Sequence, residues 1–261
     1  MSKEQKEYLK HNRINRILIL LCQLGIIILF LIIWEVFSTK GIINSFIFSK
    51  PSNVVKTISN LYINKSLFNH IWTTVYETLI AFFVGMLISI VLSIILYLFN
   101  NVYKVLDPFL TCLNSLPKVA LGPMIIIVAG ASVKSIIIMA ILINVIVSTL
   151  VITNGFYATD AIKLKLMKSF KASKLQILKY LVIPSSFKTI ISSLKLAISM
   201  SLIGVITGEF LVSKAGIGYL IIYGTQVFNL DLVVSGIFLL VIISYILYKI
   251  VEMIEKRVSD K

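Results

Sequence analysis

Cysteine and histidine are almost absent from this 261-residue chain, which has two of each. Cys22, Cys112, His11 and His70 are too few for a Cys/His zinc site or a disulfide framework. Both cysteines fall at or in apolar segments, so we expect buried thiols. No constellation of paired histidines and carboxylates or of an activated nucleophile is present either. These absences predict no catalytic, metal or cofactor-binding site in this chain.

Charged residues are also scarce, at 14% of the chain, whereas 58% of the residues are hydrophobic and the mean hydropathy is +0.99. An average soluble protein is about a quarter charged. The composition therefore places the chain in a lipid bilayer. Lys and Arg number 25 against 11 Asp and Glu. Nucleic acid is not the expected partner, because the basic residues are spread between apolar runs.

Six apolar stretches are long enough to cross the hydrocarbon core, which takes about 20 residues as a helix. We predict spans at residues 17–37, 75–99, 109–128, 135–152, 194–211 and 232–248. The third span holds Pro117, Lys118 and Pro123, so we expect it to start irregularly or to kink. Residues 17–248 then form one transmembrane domain between tails at residues 1–16 and 249–261.

The basic residues indicate which way the spans face. With the N-terminus inside, 17 Lys and Arg residues fall in inner segments and six in outer segments. Positive charge accumulates on the cytoplasmic side of membrane proteins. Both termini are therefore predicted in the cytoplasm. Seven of the inner lysines lie in one loop, at about residues 154–193.

This inner loop has a helical pattern. Leu166 and Phe170 recur at helical spacing opposite several lysines, which predicts a basic amphipathic helix. Ser173 and Gln176 form a capping-box pattern, so we expect one helix to end near Lys171 and another to begin at Ser173. Charge and position alone fit two roles: a membrane-surface helix on anionic lipid, or a docking helix for a groove in a cytoplasmic partner.

Several motifs occur in a fixed order along the chain. The run LMKSFKASKLQIL at 166–178 is followed by LVIP at 181–184, with WE at 34–35, LPKVALGP at 116–123, GEFL at 208–211 and GIGYLI at 216–221. Together they resemble the EAA loop and flanking motifs of permease subunits of binding-protein-dependent ABC importers. The resemblance is greatest to the sulfonate, taurine, nitrate and bicarbonate permease family and covers roughly residues 34–248.

The resemblance implies an all-α integral membrane protein of type I ABC importer architecture, with six transmembrane helices and a cytoplasmic coupling helix between spans 4 and 5. Such a subunit forms the solute pathway with a second permease subunit, which we expect to be an identical copy. It receives solute from an extracytoplasmic binding protein and seats its coupling helix on a separate ATPase. The implied location is the bacterial plasma membrane. The residues implied to couple to the ATPase are Lys165, Leu166, Met167, Phe170, Lys171, Ala172, Ser173, Gln176 and Pro184.

The chain departs from the resembled family at three places. Lys165, Leu166 and Met167 occupy the Glu-Ala-Ala positions, and Glu77 stands where the family often has an arginine. Lys171 replaces the loop glycine, which implies either that the corner needs no positive φ or that the helix turns differently.

The chain has no phosphate-binding loop of the Gly-x-x-x-x-Gly-Lys-Ser/Thr type. ATP is therefore expected to be bound and hydrolysed by the partner subunit, and this chain is not expected to be an enzyme. The resemblance implies a small anion as solute, of the sulfonate, taurine, nitrate or bicarbonate type. A vitamin precursor such as a thiamine pyrimidine is an alternative, and a stand-alone secondary carrier or channel is a third hypothesis. A carrier typically shows internal repeats or broken midplane helices around a charged site, and here we see only the interrupted third span.

Polar residues inside the spans are candidates for the translocation pathway or its gate. Asn144 and Ser148 share one face of the fourth span, where they either bond between helices or meet solute. Glu209 lies near the end of the fifth span, and a carboxylate there is costly unless it is paired, hydrated or functional. We expect it to act in a gate or in structural pairing. Gly204 and Gly208 are spaced for close helix packing.

Overall fold

The computed structural model describes residues 3–42 and 44–259, so the ends of both predicted tails lie outside the described residues. All regular structure in this part is helical, which confirms the predicted fold class. The helices are α1 (Lys3–Thr39), α2 (Ser45–Phe48), α3 (Pro51–Ile63), α4 (Leu67–Leu98), α5 (Asn100–Ser115), α6 (Gly122–Ala129), α7 (Val133–Tyr157), α8 (Ala161–Ser169), α9 (Lys174–Ile177), α10 (Ile183–Ser185), α11 (Phe187–Val212), α12 (Ile217–Gln226) and α13 (Leu230–Ser259).

Among the described residues, five helices are long and apolar enough to cross a membrane: α1 from Ile17, α4, α7, α11 and α13. The third predicted span is broken, as its prolines led us to expect. α5 ends at Ser115, and the segment Lys118–Ala129 is inclined to it by 96°. Pro117 lacks an N–H group and disfavours helical geometry at the residue before it. Counted as one bent span, this pair completes the predicted six.

Four helices of the described chain begin well before the predicted spans, namely α1, α4, α5 and α11. α4 begins at Leu67 rather than at residue 75, and α11 begins at Phe187 rather than at residue 194. The early segments carry polar residues, which lower the local hydropathy without disfavouring a helix. The predicted bounds therefore described only the apolar part of each helix.

α7 is the central helix of the bundle and packs against α4 and α11. Glycine allows the close approach of α11. A Cβ added at Gly204 would lie 2.5 Å from the Cα of Ala140, and one at Gly208 would lie 3.0 Å from the Cα of Ile136. The predicted packing role of these two glycines is confirmed.

α1 and α5 lie at the surface of the described bundle. Among the described side chains of the α1 span, no apolar one is buried and most are exposed, and no residue of α5 is buried. Cys22 on α1 and Cys112 on α5 are exposed. The expectation of buried thiols was wrong, because an apolar helix surface that faces lipid is not buried in protein.

Candidate functional site

Glu209 is fully buried near the C-terminal end of α11, where its carboxylate binds the start of α12. It accepts hydrogen bonds from the Thr74 hydroxyl over 2.7 Å and from the Gly218 amide over 2.5 Å. The first amides of a helix have no intrahelical partner and carry partial positive charge, so a carboxylate is stabilising there. Glu209 therefore joins α4, α11 and α12, which is the structural pairing allowed by the sequence.

Two α4 residues hold the turn that leads into α12. The Gly216 amide donates to Nδ1 of His70 over 3.1 Å, and the Ile217 amide donates to the Thr74 hydroxyl oxygen over 2.8 Å. Gly216 has a φ of 109°, a conformation that favours glycine. No role of Thr74 is predicted from the sequence. The sequence feature that could have identified Thr74 is its four-residue spacing from His70, which puts two polar side chains on one helix face.

Glu77 lies three residues beyond Thr74 on α4 and is completely buried. Within the described chain, neither of its carboxyl oxygens has a hydrogen-bond partner. Thr74, which bonds to Glu209, lies about one helical turn before Glu77 on α4. This junction of α4, α11 and α12 therefore contains one well-partnered carboxyl group and one without a partner.

Asn144 and Ser148 are fully buried between α4, α7 and α11. The Asn144 amide nitrogen donates to the Ala81 carbonyl over 3.3 Å and to the Ser201 hydroxyl over 3.0 Å. The Ser148 hydroxyl donates to the Asn144 side-chain oxygen over 2.7 Å. The two Asn144 contacts join α7 to α4 and α11, as the sequence allowed, whereas the Ser148 bond lies within α7. A pathway role for the pair stays a prediction.

The segment between α7 and α11 forms a corner, which we define as residues 161–177. The Ser173 hydroxyl oxygen accepts from the Gln176 amide over 3.3 Å, and Oε1 of Gln176 accepts from the Ser173 amide over 2.7 Å. The predicted capping box is therefore confirmed, as is the start of a new helix just after Ser173. Because the two bonds are reciprocal, they fix the direction in which α9 leaves the corner.

Lys171 adopts a left-handed conformation, with a φ of 58°. Its amide donates to the Lys168 carbonyl, and the Ala172 amide donates to the Met167 carbonyl, at 2.9 and 3.1 Å. These are the two bonds of a Schellman motif, in which glycine is the usual left-handed residue. The idea that the corner needs no positive φ was therefore wrong: the corner retains this geometry without glycine.

The corner presents one apolar face outward and anchors itself by another. Phe170 is 73% exposed and Leu166 is 55% exposed, with Lys165 and Lys171 exposed beside them. On the inner side Met167 and Ala172 pack against the core that also buries Ile177, Leu178 and Val182. Pro184 lies in α10, which directly follows a π-helical turn at Leu178–Val182. Of the nine predicted coupling residues, seven are thus exposed, while Met167 and Ala172 are half-buried and pack inward.

Comparison with known proteins identifies the family. Residues 85–260 match the family described as the binding-protein-dependent transport system inner membrane component. This chain belongs to that family. A Haemophilus influenzae protein described as an ABC transporter permease is 29% identical over 88% of this chain and 93% of its own length. A Bacillus subtilis protein named for aliphatic sulfonates transport, SsuC, is 22% identical over 86% of this chain and 82% of its own.

The fold agrees with this assignment. An inward-facing structure of the MetNI methionine ABC transporter superposes with a TM-score of 0.63, covering 72% of this chain and 93% of that chain at 16% identity. The ABC permease is therefore a membrane-embedded type I importer subunit, which confirms the predicted fold class and the predicted role as a permease.

Proposed function

We propose that two copies of this permease enclose a pathway for a small anion in the bacterial plasma membrane. Both termini lie in the cytoplasm in this proposal, and an extracytoplasmic binding protein delivers the solute. The corner of residues 161–177 docks in a groove of a separate subunit, which binds and hydrolyses ATP. Its exposed Phe170 is the observation that carries the proposal.

An aromatic side chain that is largely exposed on a rigid corner is unfavourable in water. Phe170 follows the last turn of α8, and the Schellman motif and the capping box fix the chain on its C-terminal side. A helix-in-groove contact covers such an apolar face, and the surrounding lysines complement acidic groups on the groove rim. The basic loop is also the strongest positive-inside signal of the chain, which supports a cytoplasmic position.

The anchoring of the corner supports a role in coupling. Ile177, Leu178 and Val182 are buried in the same hydrophobic cluster as Phe156 of α7 and Ile198 of α11. A displacement of the corner is therefore transmitted to the membrane helices through packed side chains, which deform little. ATP binding and hydrolysis in the partner would act on this contact and switch the pathway between two states.

The experiment compares Phe170→Asp with Phe228→Asp. Phe228 is a matched control, because it is 76% exposed and follows α12, beyond the opposite end of α11. The permease is co-expressed with its ATPase subunit and purified through a tag on the permease. A buried charge in a hydrophobic groove costs several kcal/mol, so we expect Phe170→Asp to lose at least nine-tenths of the bound ATPase.

Phe228→Asp is expected to retain the ATPase at the wild-type level. Equal retention by both variants would overturn the docking role of the corner. Equal loss in both would show that an exposed aspartate disrupts the fold in general, and would remove the support that Phe170 gives to the proposal.

A further inference from the structure

α5 crosses most of the depth of the bundle, although its span is broken. Its first turn lies beside the C-terminal end of α7, where the Tyr157 hydroxyl donates to the Asn100 side chain over 3.0 Å. Its far end leads to Gly122, where a Cβ would lie 3.4 Å from the Met139 sulfur, near the start of α7. The distance from Met139 to Tyr157 is about 27 Å along a helix. α5 therefore runs antiparallel to α7 through the membrane rather than along its surface.

One face of α5 is polar. Its members repeat at intervals of three and four residues, which a helix places on one side. They are Asn100, Lys104, Asp107, Thr111 and Asn114. The opposite side is formed by Val102, Val105, Leu106, Phe109 and Leu113. No residue of α5 is buried in the described chain. On the polar face Lys104, Thr111 and Asn114 are exposed, whereas Asp107 is half-buried and Asn100 bonds to Tyr157.

A polar face at membrane depth needs water or protein beside it, because hydrocarbon cannot satisfy its hydrogen-bonding groups. The apolar side of α5 suits lipid or an apolar protein surface. If two copies pair as proposed above, their polar faces lie beside a shared aqueous space. The present inference rests on that proposed function and names the residues that line its pathway.

Lys118 continues the polar face beyond the bend. Its ammonium group donates to the Asn114 carbonyl over 2.9 Å and to the Asn114 side-chain oxygen over 3.2 Å. These bonds hold a positive charge between α5 and α6 while the lysine stays partly exposed. The negative Asp107 is half-buried and lies about 10 Å from Asn114 along the helix. Lys104 adds a second positive charge near the other end of the face.

We infer that the polar face of α5 lines the translocation pathway and that Lys118 makes this pathway selective for anionic solutes. A fixed positive charge in a confined aqueous space raises the local concentration of anions and lowers that of cations. The relevant chemical class is a small solute with a sulfonate, carboxylate or similar anionic group.

Thiol labelling of the permease tests the first part. The complete importer with its ATPase is reconstituted in liposomes, with Cys22→Ser as background. The reporter is Thr111→Cys combined with Cys112→Ser. Native Cys112 beside an intact Thr111 is the matched control, since it lies one residue further along and about 100° around the same helix. The probe is a methanethiosulfonate that carries a sulfonate group.

We expect the thiol at position 111 to react at least tenfold faster than Cys112, because the thiolate is the reactive form and needs an aqueous surrounding. Equal rates, or a faster reaction at Cys112, would overturn the assignment of this face to the pathway.

A cationic reagent of similar size tests the second part. The rate ratio of the sulfonate reagent to a trimethylammonium reagent is measured at position 111. Removing one positive charge slows the reaction of the anionic reagent and speeds that of the cationic reagent. Lys118→Gln is therefore expected to lower the rate ratio about tenfold. Lys134→Gln, which removes an exposed lysine from the first turn of α7, is the matched control and should leave the ratio unchanged. An unchanged ratio in Lys118→Gln would overturn the role of Lys118.

The two proposals fail in different ways. An importer that binds its ATPase through Phe170 but shows no faster labelling at position 111 contradicts the pathway assignment and leaves the proposed function standing. A permease whose Phe170→Asp variant keeps its ATPase contradicts the proposed docking, whatever the labelling shows.

Discussion

At the scale of single residues, two buried carboxyl groups have opposite surroundings. Glu209 accepts hydrogen bonds from Thr74 and from the start of α12, so its charge is offset by partial positive charges. Glu77 has no such partner in the described chain. Burial of a polar group without a hydrogen bond is unfavourable. The same residue type therefore stabilises the junction at one position and weakens it at the other.

Substitution by methionine, which is apolar and of similar size, should distinguish the contributions of Glu77 and Glu209 to stability. We expect Glu77→Met to raise the free energy of unfolding by about 1–3 kcal/mol, because an unsatisfied buried group is removed. Glu209→Met should lower it by at least about 2 kcal/mol, since the amides of α12 and the Thr74 hydroxyl lose their acceptor. Thermal unfolding of the purified permease, followed by tryptophan fluorescence, measures both. Destabilisation by Glu77→Met would show that Glu77 has a stabilising partner.

At the scale of helices, the contact between α7 and α11 depends on the absence of side chains. Gly204 and Gly208 bring the backbone of α11 to that of α7 at Ala140 and Ile136. Asn144 lies on α7 one turn beyond Ala140 and bonds across the same group of helices, and Ser148, one turn further, donates to the Asn144 side chain. In a bilayer, such close packing and hydrogen bonding hold helices together, because lipid tails are as apolar as the side chains.

Gly204→Ala should be destabilising although it adds a single methyl group. The new Cβ would lie 2.5 Å from the Cα of Ala140, so the helices must separate. We expect a loss of about 1–3 kcal/mol, the usual cost of overpacking. Gly25→Ala on α1 is the matched control, since nothing lies within 4 Å of its Cβ position. The midpoint of thermal unfolding should fall for Gly204→Ala only, and an equal fall in the two variants would contradict the packing argument.

At the scale of the whole molecule, the described chain leaves two of its membrane-facing elements open. The span of α1 is exposed, and α5 exposes a polar and an apolar face. The buried core is instead formed between α4, α7, α11 and α13. A polar face open at membrane depth is incompatible with lipid, so water or a second protein surface lies beside α5. In the proposed pair, a second copy related by twofold symmetry supplies the same face from the other side.

Co-expression of two differently tagged copies tests this pairing. We expect the second tag to appear in importer isolated through the first, because each pathway needs two polar faces. Complexes that are expressed separately and mixed after solubilisation serve as the control and should carry one tag each. A complex that contains one copy of this chain beside a different permease chain would contradict the identical pair.

The sequence by itself determined the features that depend on composition and on neighbours along the chain. Hydropathy located the membrane helices, and Ser173 with Gln176 predicted the corner, because capping joins residues only three positions apart. The tertiary structure alone decided the pairing of Thr74 with Glu209, since this bond joins α4 to α11 across more than a hundred residues. It also decided that the Glu77 carboxyl group has no hydrogen-bond partner within the described chain. It also decided that Lys171 adopts a left-handed conformation, which local propensity disfavours and the surrounding hydrogen bonds and packing enforce.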